Sequence, residues 1–183
     1  MSDSSAARLP SVLRRAIDRS QGYLMLKMHG EAARELEAIA EFAGDLPDFL
    51  RARIDVQTAA GNWSAVLSDA NRLHTIDPDQ PSTFITCAFA TRRCRSLEEA
   101  ECILLEGIKR FPDEGLIWYN LACYAAVAGR ADEALLLLGR ALKLEPGLLR
   151  IASNDEDFTA VRAQIEEWEL ALEPSDDSPG LPE

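Results

Sequence analysis

Cysteine and histidine are among the residue types that most often bind a transition metal or supply a nucleophile. The cysteines are Cys87, Cys94, Cys102 and Cys123, and His74 precedes them. Zinc sites usually draw their ligands from closely spaced pairs such as Cys-x-x-Cys. No such pair occurs here. We therefore predict that Cys87, Cys94 and Cys102 are buried as small apolar side chains and that the protein binds no metal.

A catalytic constellation is equally hard to find. His29 and His74 are the two histidines, and both lie near the ends of predicted helices. The sequence has no glycine-rich phosphate loop, no recognisable Ser/His/Asp set and no carboxylate pair that can be assigned to a cleft. We predict a protein that is not an enzyme and needs no cofactor.

The charge balance is strongly acidic, with 31 acidic and 19 basic residues and a formal net charge of −12. Such a balance repels nucleic acids and anionic membranes, and no run of lysine or arginine offsets it. No stretch has the apolar length of a signal peptide or a membrane span. We expect a cytoplasmic protein with neither a nucleic-acid nor a membrane partner.

Alanine and leucine dominate the chain, and glycine and proline mark the breaks, so we predict helices throughout. The first should follow Ser11 as its cap and end near residue 28, and the second should cover residues 31–42. A capping box at Ser96 and Glu99 should open a later helix. The remaining predicted helices follow the same punctuation: 47–60, 63–76, 81–93, a helix ending at 110, and two within 115–148.

Equivalent residues recur every 34 positions. This period predicts repeated helical hairpins that stack on one another. Two sets of residues carry it, one at the ends of the units and one in their second helices: Pro78, Pro112 and Pro146, and Ala32, Val66, Ala100 and Ala134. Four units fit without an insertion: 13–46, 47–80, 81–114 and 115–148.

The last unit resembles the tetratricopeptide repeat, a 34-residue helix–turn–helix. It carries the pattern of that family in full: Trp118, Leu121, Ala122, Gly129, Ala134, Ala141 and Pro146. The earlier units depart from the pattern, with Arg53 at the leucine position and with Lys27 and Arg95 at the turn glycine. The first unit is the most degenerate, as suits the end of an array.

The resemblance implies an all-α, right-handed superhelical solenoid of four repeats within one domain, 10–172. Phe158, Ile165 and Trp168 recur at helical spacing after the last repeat, which predicts a capping helix within 149–172. Residues 1–9 and the acidic tail 173–183 are predicted to be disordered. We expect Trp63 and Trp118 to lie, like Trp168, in the core or the cap.

The resemblance also implies that the first helix of each repeat lines a concave binding groove. The candidate partner-binding residues, carried over by position, are Arg51, Asp55, Ile85, Phe89, Arg92, Tyr119, Asn120 and Cys123. The arginines would bind a carboxylate of the partner and the aromatic rings would form apolar pockets. The alternative is that both arginines are solvated or paired with acids such as Asp55.

We therefore predict a non-catalytic scaffold for protein–protein interaction, with a protein or peptide partner held in the groove. Two alternatives remain: a cytosolic chaperone for a secreted substrate, and a structural module that associates with itself. The sequence favours no particular oligomeric state.

Overall fold

The structure is a computed structural model that describes residues 10–172 and contains helices and turns but no strand within that range. The two segments predicted to be disordered, 1–9 and 173–183, lie outside the described residues. The chain divides into two compact units, Met1–Ala100 and Glu101–Glu183, called unit 1 and unit 2 below. Each is larger than one of the 34-residue repeats described above. The single domain and the repeat boundaries predicted above stay predictions.

The described part of unit 1, residues 10–100, holds six helices and the beginning of a seventh. They are α1 (Ser11–Met25), α2 (His29–Glu37), α3 (Ala40–Ala43), α4 (Pro47–Ala59), α5 (Trp63–Ile76), α6 (Pro81–Cys94) and the first residues of α7 (Leu97–Arg110). Unit 2 continues α7 and adds α8 (Gly115–Val127), α9 (Ala131–Leu144), α10 (Leu148–Ala152), a 3-10 helix (Glu156–Val161) and α11 (Arg162–Leu172).

The helix starts follow the sequence period closely. Helices α4, α6 and α8 begin 34 residues apart, and so do α2, α5, α7 and α9. Pro47 and Pro81 occupy the first helical positions of α4 and α6, where the amide that proline lacks would have no helical acceptor. The predicted helix 63–76 is confirmed at both ends.

The turns between paired helices share one backbone conformation in three of four cases. Gly61 and Gly129 have φ angles of 71° and 78°, and Lys27, at the equivalent position of the first hairpin, has a φ of 58°. Arg95, at the fourth equivalent position, has a φ of −134°. A side chain at positive φ crowds the backbone, so Lys27 strains a turn that glycine forms freely.

The first hairpin differs from the prediction. Helix α1 ends at Met25, and the helix predicted over 31–42 begins at His29 and is interrupted by a turn at residues 38–39. The Ile39 amide bonds to the Leu36 carbonyl at 3.1 Å, which is the tighter 3-10 spacing. The tighter turn buries both Ile39 and Ala43 in the core of unit 1.

Helix capping also departs from the prediction in part. Pro10, not Ser11, holds the cap position of α1. The Ser96 hydroxyl accepts a hydrogen bond from the Glu99 amide at 3.1 Å, which is half of the predicted capping box. The Glu99 carboxylate instead pairs with Arg95 at 3.1 Å.

Each unit has its own apolar core. In unit 1, Phe49 and Leu50 of α4 are fully buried, and small residues such as Ala32 allow the helices to approach closely. In unit 2, helix α8 is buried almost all round, because it packs against α9 on one side and the 3-10 helix on another.

A charged pair interrupts the core of unit 1. Arg53, at the position where the repeat pattern has leucine, donates from Nε to Asp69 Oδ2 at 2.5 Å, and a second guanidinium nitrogen bonds the other oxygen. Asp69 is only 4% exposed. The Arg53 guanidinium also lies over the Phe49 ring, 5.0 Å from its centroid. This two-point pairing compensates the buried carboxylate.

Candidate functional site

A polar cleft lies between α1 and α4 in unit 1. It encloses about 200 Å³. Its walls combine an apolar floor with charges of both signs: Arg14, Ile17, Asp18, Gln21, Asp48, Arg51 and Ala52. Such a mixture can hold one or two side chains of an extended segment, with an apolar group on Ile17 and polar groups against the rim.

Arg51 is the predicted site residue that lines this cleft. It forms ion pairs with Asp48, at 3.3 Å, and with Asp77. The predicted alternative of an acid-paired arginine therefore holds for Arg51, although its partners are Asp48 and Asp77 and not Asp55. A guanidinium carries five donors, so a further carboxylate can still bind to it. Arg14, on the facing helix, forms no ion pair with a described residue.

Asp55 lies one turn further along α4 and is exposed. Neighbouring protein atoms partly desolvate its carboxyl group, and this desolvation raises its pKa above the ordinary value. The side chain is therefore more readily protonated than a fully hydrated aspartate.

Helix α6 carries Ile85, Phe89 and Arg92, and all three are half-buried. Phe89 makes an edge-to-face contact with Trp63, with ring centroids 5.5 Å apart. The guanidinium of Arg93 lies over both rings, 4.7 Å from the Trp63 centroid and 4.8 Å from that of Phe89. Phe89 is thus engaged within unit 1. Arg93 was not among the predicted site residues, although its cation follows Phe89 by one helical turn.

The equivalent face of α8 in unit 2 is covered. Tyr119 and Cys123 are buried, and the Tyr119 hydroxyl donates to Asp155 Oδ2 at 2.7 Å. The Cys123 thiol lies 3.7 Å from the same oxygen, and Phe158 packs edge-to-face on Tyr119 at 5.5 Å. A partner cannot reach Tyr119 or Cys123 while residues 155–158 stay in place, contrary to the predicted groove.

Burial raises the pKa of Tyr119 far above its usual range, and the hydrogen bond to Asp155 adds to the effect. The hydroxyl is therefore a permanent donor to the carboxylate at physiological pH. Asn120, the third predicted residue on α8, donates from Nδ2 to the Leu116 carbonyl at 2.7 Å, a bond within its own helix.

Asp155 is the site residue that sequence reasoning missed. In the sequence, Asp155 precedes further acidic residues, a pattern that predicts only the start of a helix. One of its oxygens does accept from the Asp157 amide at 3.0 Å, which caps the 3-10 helix, while the other oxygen accepts from Tyr119. Arg162 donates to the Asp155 carbonyl at 2.7 Å and to the Ser153 carbonyl, which fixes the backbone around it.

The eight predicted residues are thus divided between the units: five lie in unit 1 and three, all on α8, lie in unit 2. Within unit 1 only Arg51 lines the α1–α4 cleft. The cleft adds Arg14, Ile17 and Gln21 from α1.

The prediction of burial is wrong for two of the three cysteines that it covers. Cys87 and Cys123 are buried, whereas Cys94 and Cys102 are exposed. Burial raises the pKa of the Cys87 thiol to about 12, so this thiol stays protonated and unreactive in the folded protein. Residues 10–172 bring no three potential metal ligands of the His, Cys, Asp and Glu types together.

Among the helices that the structure describes, none combines the length and the apolar character needed to cross a bilayer.

Comparison with solved structures decides the fold. MamA (residues 41 to the end) from Desulfovibrio magneticus RS-1 superposes with a TM-score of 0.69 at 15% identity, over 93% of this chain and 99% of that one. TTC0263, a thermophilic TPR protein of Thermus thermophilus, gives 0.68 at 17% identity, over 91% and 93% of the two chains.

The chain has the tetratricopeptide-repeat (TPR) fold. A third solved structure, YrrB, described as a TPR protein with an unusual peptide-binding site, matches with a TM-score of 0.59 at 13% identity, over 86% of this chain and 80% of that one. No family model matches the sequence, and no curated protein matches it significantly. The TPR fold is therefore carried by a sequence that shares little with these structures.

Proposed function

We propose that this TPR-fold protein is a non-catalytic scaffold that binds an extended segment of a partner protein at the α1–α4 cleft. The observation that supports the proposal is the open, polar cleft on helices α1 and α4, at a first-helix face whose equivalent on α8 is covered by Asp155 and Phe158. We propose a cytoplasmic location and no role for nucleic acid or a membrane.

The cleft favours a segment with one apolar side chain flanked by charges. Ile17 and Ala52 would contact the apolar group, and Arg14 and Arg51 would bind a carboxylate of the partner. Asp18 and Asp48 would accept from a neighbouring amide or cation. A cleft of about 200 Å³ buries little surface, so we expect affinities on the order of micromolar for a single peptide.

Peptide recognition also agrees with a structural neighbour. YrrB is described as a TPR protein with a peptide-binding site. The likeness extends to the fold alone, so it supports the kind of ligand and not its sequence.

The test is selection of binding peptides from a random library on the purified protein, followed by titration. Arg51→Glu removes a cation and adds an anion to the cleft, so it should weaken the selected peptides by about tenfold or more. Arg72→Glu is the matched control, because Arg72 also pairs with an aspartate, Asp45, but does not line the cleft. Peptides that bind both variants equally well would rule out the cleft.

The two alternatives give different results in the same preparation. A chaperone for a secreted substrate should delay aggregation of that substrate in an Arg51-dependent way and bind its unfolded form. A self-associating module should show a mass above one chain in sedimentation at micromolar concentration.

A further inference from the structure

A second groove lies in unit 2, away from the face that Asp155 covers. Two adjoining cavities of about 350 and 440 Å³ run along α9 beside α11 and share Gly139, Lys143 and Trp168. We call this surface the α9–α11 groove. Its other walls include Trp118, Leu136 and Leu142.

The floor of the α9–α11 groove is apolar and accessible. Trp118 and Trp168 are both half-buried, and Leu136 is 74% exposed. Gly139 leaves the floor open, since no atom apart from its chain neighbours and its own helix backbone lies within 4 Å of where its Cβ would be. Contiguous exposed apolar surface of this kind is typical of an interaction site. Two of the three tryptophans predicted to serve only the core or the cap thus line an open surface.

The charges at the groove have one sign. Arg140 and Lys143 line it, and its described walls include no carboxylate. The nearest acidic partner of Arg140 is Asp113, at 4.0 Å, the limit of an ion pair. The Arg140 guanidinium also lies over Trp118, 5.8 Å from the ring centroid. Two cations beside an apolar floor are notable in a chain with a net charge of −12.

We infer that the α9–α11 groove binds an acidic amphipathic helix of a partner protein. Leu136, Arg140 and Lys143 are spaced four and three residues apart, so they follow one side of α9. The apolar face of a partner helix would lie on the tryptophans and Leu136. Its carboxylates would pair with Arg140 and Lys143, in the helix-in-groove mode of recognition.

The chain's own tail suits the groove less well. Residues 173–183 are acidic but contain one large apolar residue, Leu181, and three prolines. A segment with a single large apolar residue offers too little apolar surface to cover two tryptophans. The proposed occupant is therefore a separate protein.

The probe is a synthetic amphipathic peptide of about 14 residues, four helical turns, built from leucine, alanine and glutamate. A second peptide has lysine in place of every glutamate. Each is titrated into the full chain while tryptophan fluorescence and heat are recorded. We expect the acidic peptide to bind about tenfold more tightly than the basic one, and the difference to shrink as salt is raised.

Matched variants locate the binding. Leu136→Ser should weaken the acidic peptide about tenfold, whereas Leu170→Ser should not, because Leu170 is 70% exposed but outside the groove. Lys143→Glu should weaken binding of the acidic peptide by a similar factor. Arg150→Glu is its control, because Arg150 is an exposed cation elsewhere in unit 2. Arg51→Glu should leave this affinity unchanged, which separates the groove from the α1–α4 cleft.

Several results would overturn the inference. They are equal affinity for the two peptides, no binding of the acidic peptide, or equal effects of Leu136→Ser and Leu170→Ser. If Asp176→Asn with Asp177→Asn tightened the acidic peptide about tenfold, the tail would be the occupant instead. If Leu136→Ser reduced a dimeric mass to that of one chain, the occupant would be a second copy.

Discussion

Helices α4 and α8 hold the same positions of the 34-residue repeat, one in each unit, and fill them with opposite chemistry. Three pairs of equivalent positions show the contrast, and in each pair the α4 residue is named first: Arg51 and Tyr119, Arg53 and Leu121, and Asp55 and Cys123. The α4 residues are charged, and two of them border solvent or a cleft. The α8 residues are buried.

The difference teaches that the period and the residue types carry separate information. The period decides which side of a helix a residue occupies. The residue types decide what that side can contact. Tyr119 and Cys123 are covered by a later segment that supplies a carboxylate and an aromatic ring. Arg51 and Asp55, in contrast, leave the α4 face open to other molecules.

The largest loss of stability should come from removing the Phe158 ring, which covers the α8 face. Phe158 is fully buried against Tyr119, so Phe158→Ala should lower the free energy of unfolding by about 4 kcal/mol. Leu170→Ala, on the exposed side of α11, should cost less than about 0.5 kcal/mol. Urea unfolding followed by circular dichroism measures both. Similar losses for the two variants would mean that Phe158 does not hold the cap.

The next effect concerns the charged pair that replaces leucine in α4. Arg53→Leu leaves the buried Asp69 carboxylate without its cation and should cost about 3 kcal/mol. Arg53→Leu with Asp69→Leu restores the residue types of Leu121 and Leu137 in unit 2. The free energy of unfolding of the double variant should be within about 1 kcal/mol of the parent's or exceed it. Additive losses in this cycle would contradict the pairing.

The smallest effect compares the turns after α1 and α8. Lys27→Gly relieves a positive φ and should stabilise the protein by about 0.5–1 kcal/mol, whereas Gly129→Ala should destabilise it by about 1 kcal/mol. Leu26→Gly is the control, because Leu26 is exposed and its φ of −86° is one that any residue adopts, so glycine brings no relief there. Thermal melting measures all three variants, and a stabilised Leu26→Gly would show that positive φ is not the cause.

The sequence predicted the helices well where the signals are local. Prolines at first positions and the 34-residue spacing placed α4, α5 and α6 within one residue at each end. The interruption at Ile39 had no such signal, because it contains neither glycine nor proline and depends on packing in the core.

The sites were less predictable, because they depend on contacts between segments that are distant in the sequence. Tyr119 and Asp155 are 36 residues apart, and Arg53 and Asp69 are 16 apart. Periodicity places Tyr119 on a given face but cannot show that a later segment covers that face. It likewise shows Trp118 and Leu136 to be apolar without showing that the surface beside them stays open.

The distribution of the cysteines allows the rate at which each unit opens to be measured separately. Unit 1 has the buried Cys87 and the exposed Cys94, and unit 2 has the buried Cys123 and the exposed Cys102. An alkylating reagent would modify the exposed thiols at once and reach each buried thiol only when its own unit opens. The two slow rates, separated by mass spectrometry of the peptides, would therefore time the opening of each half of the array in one experiment.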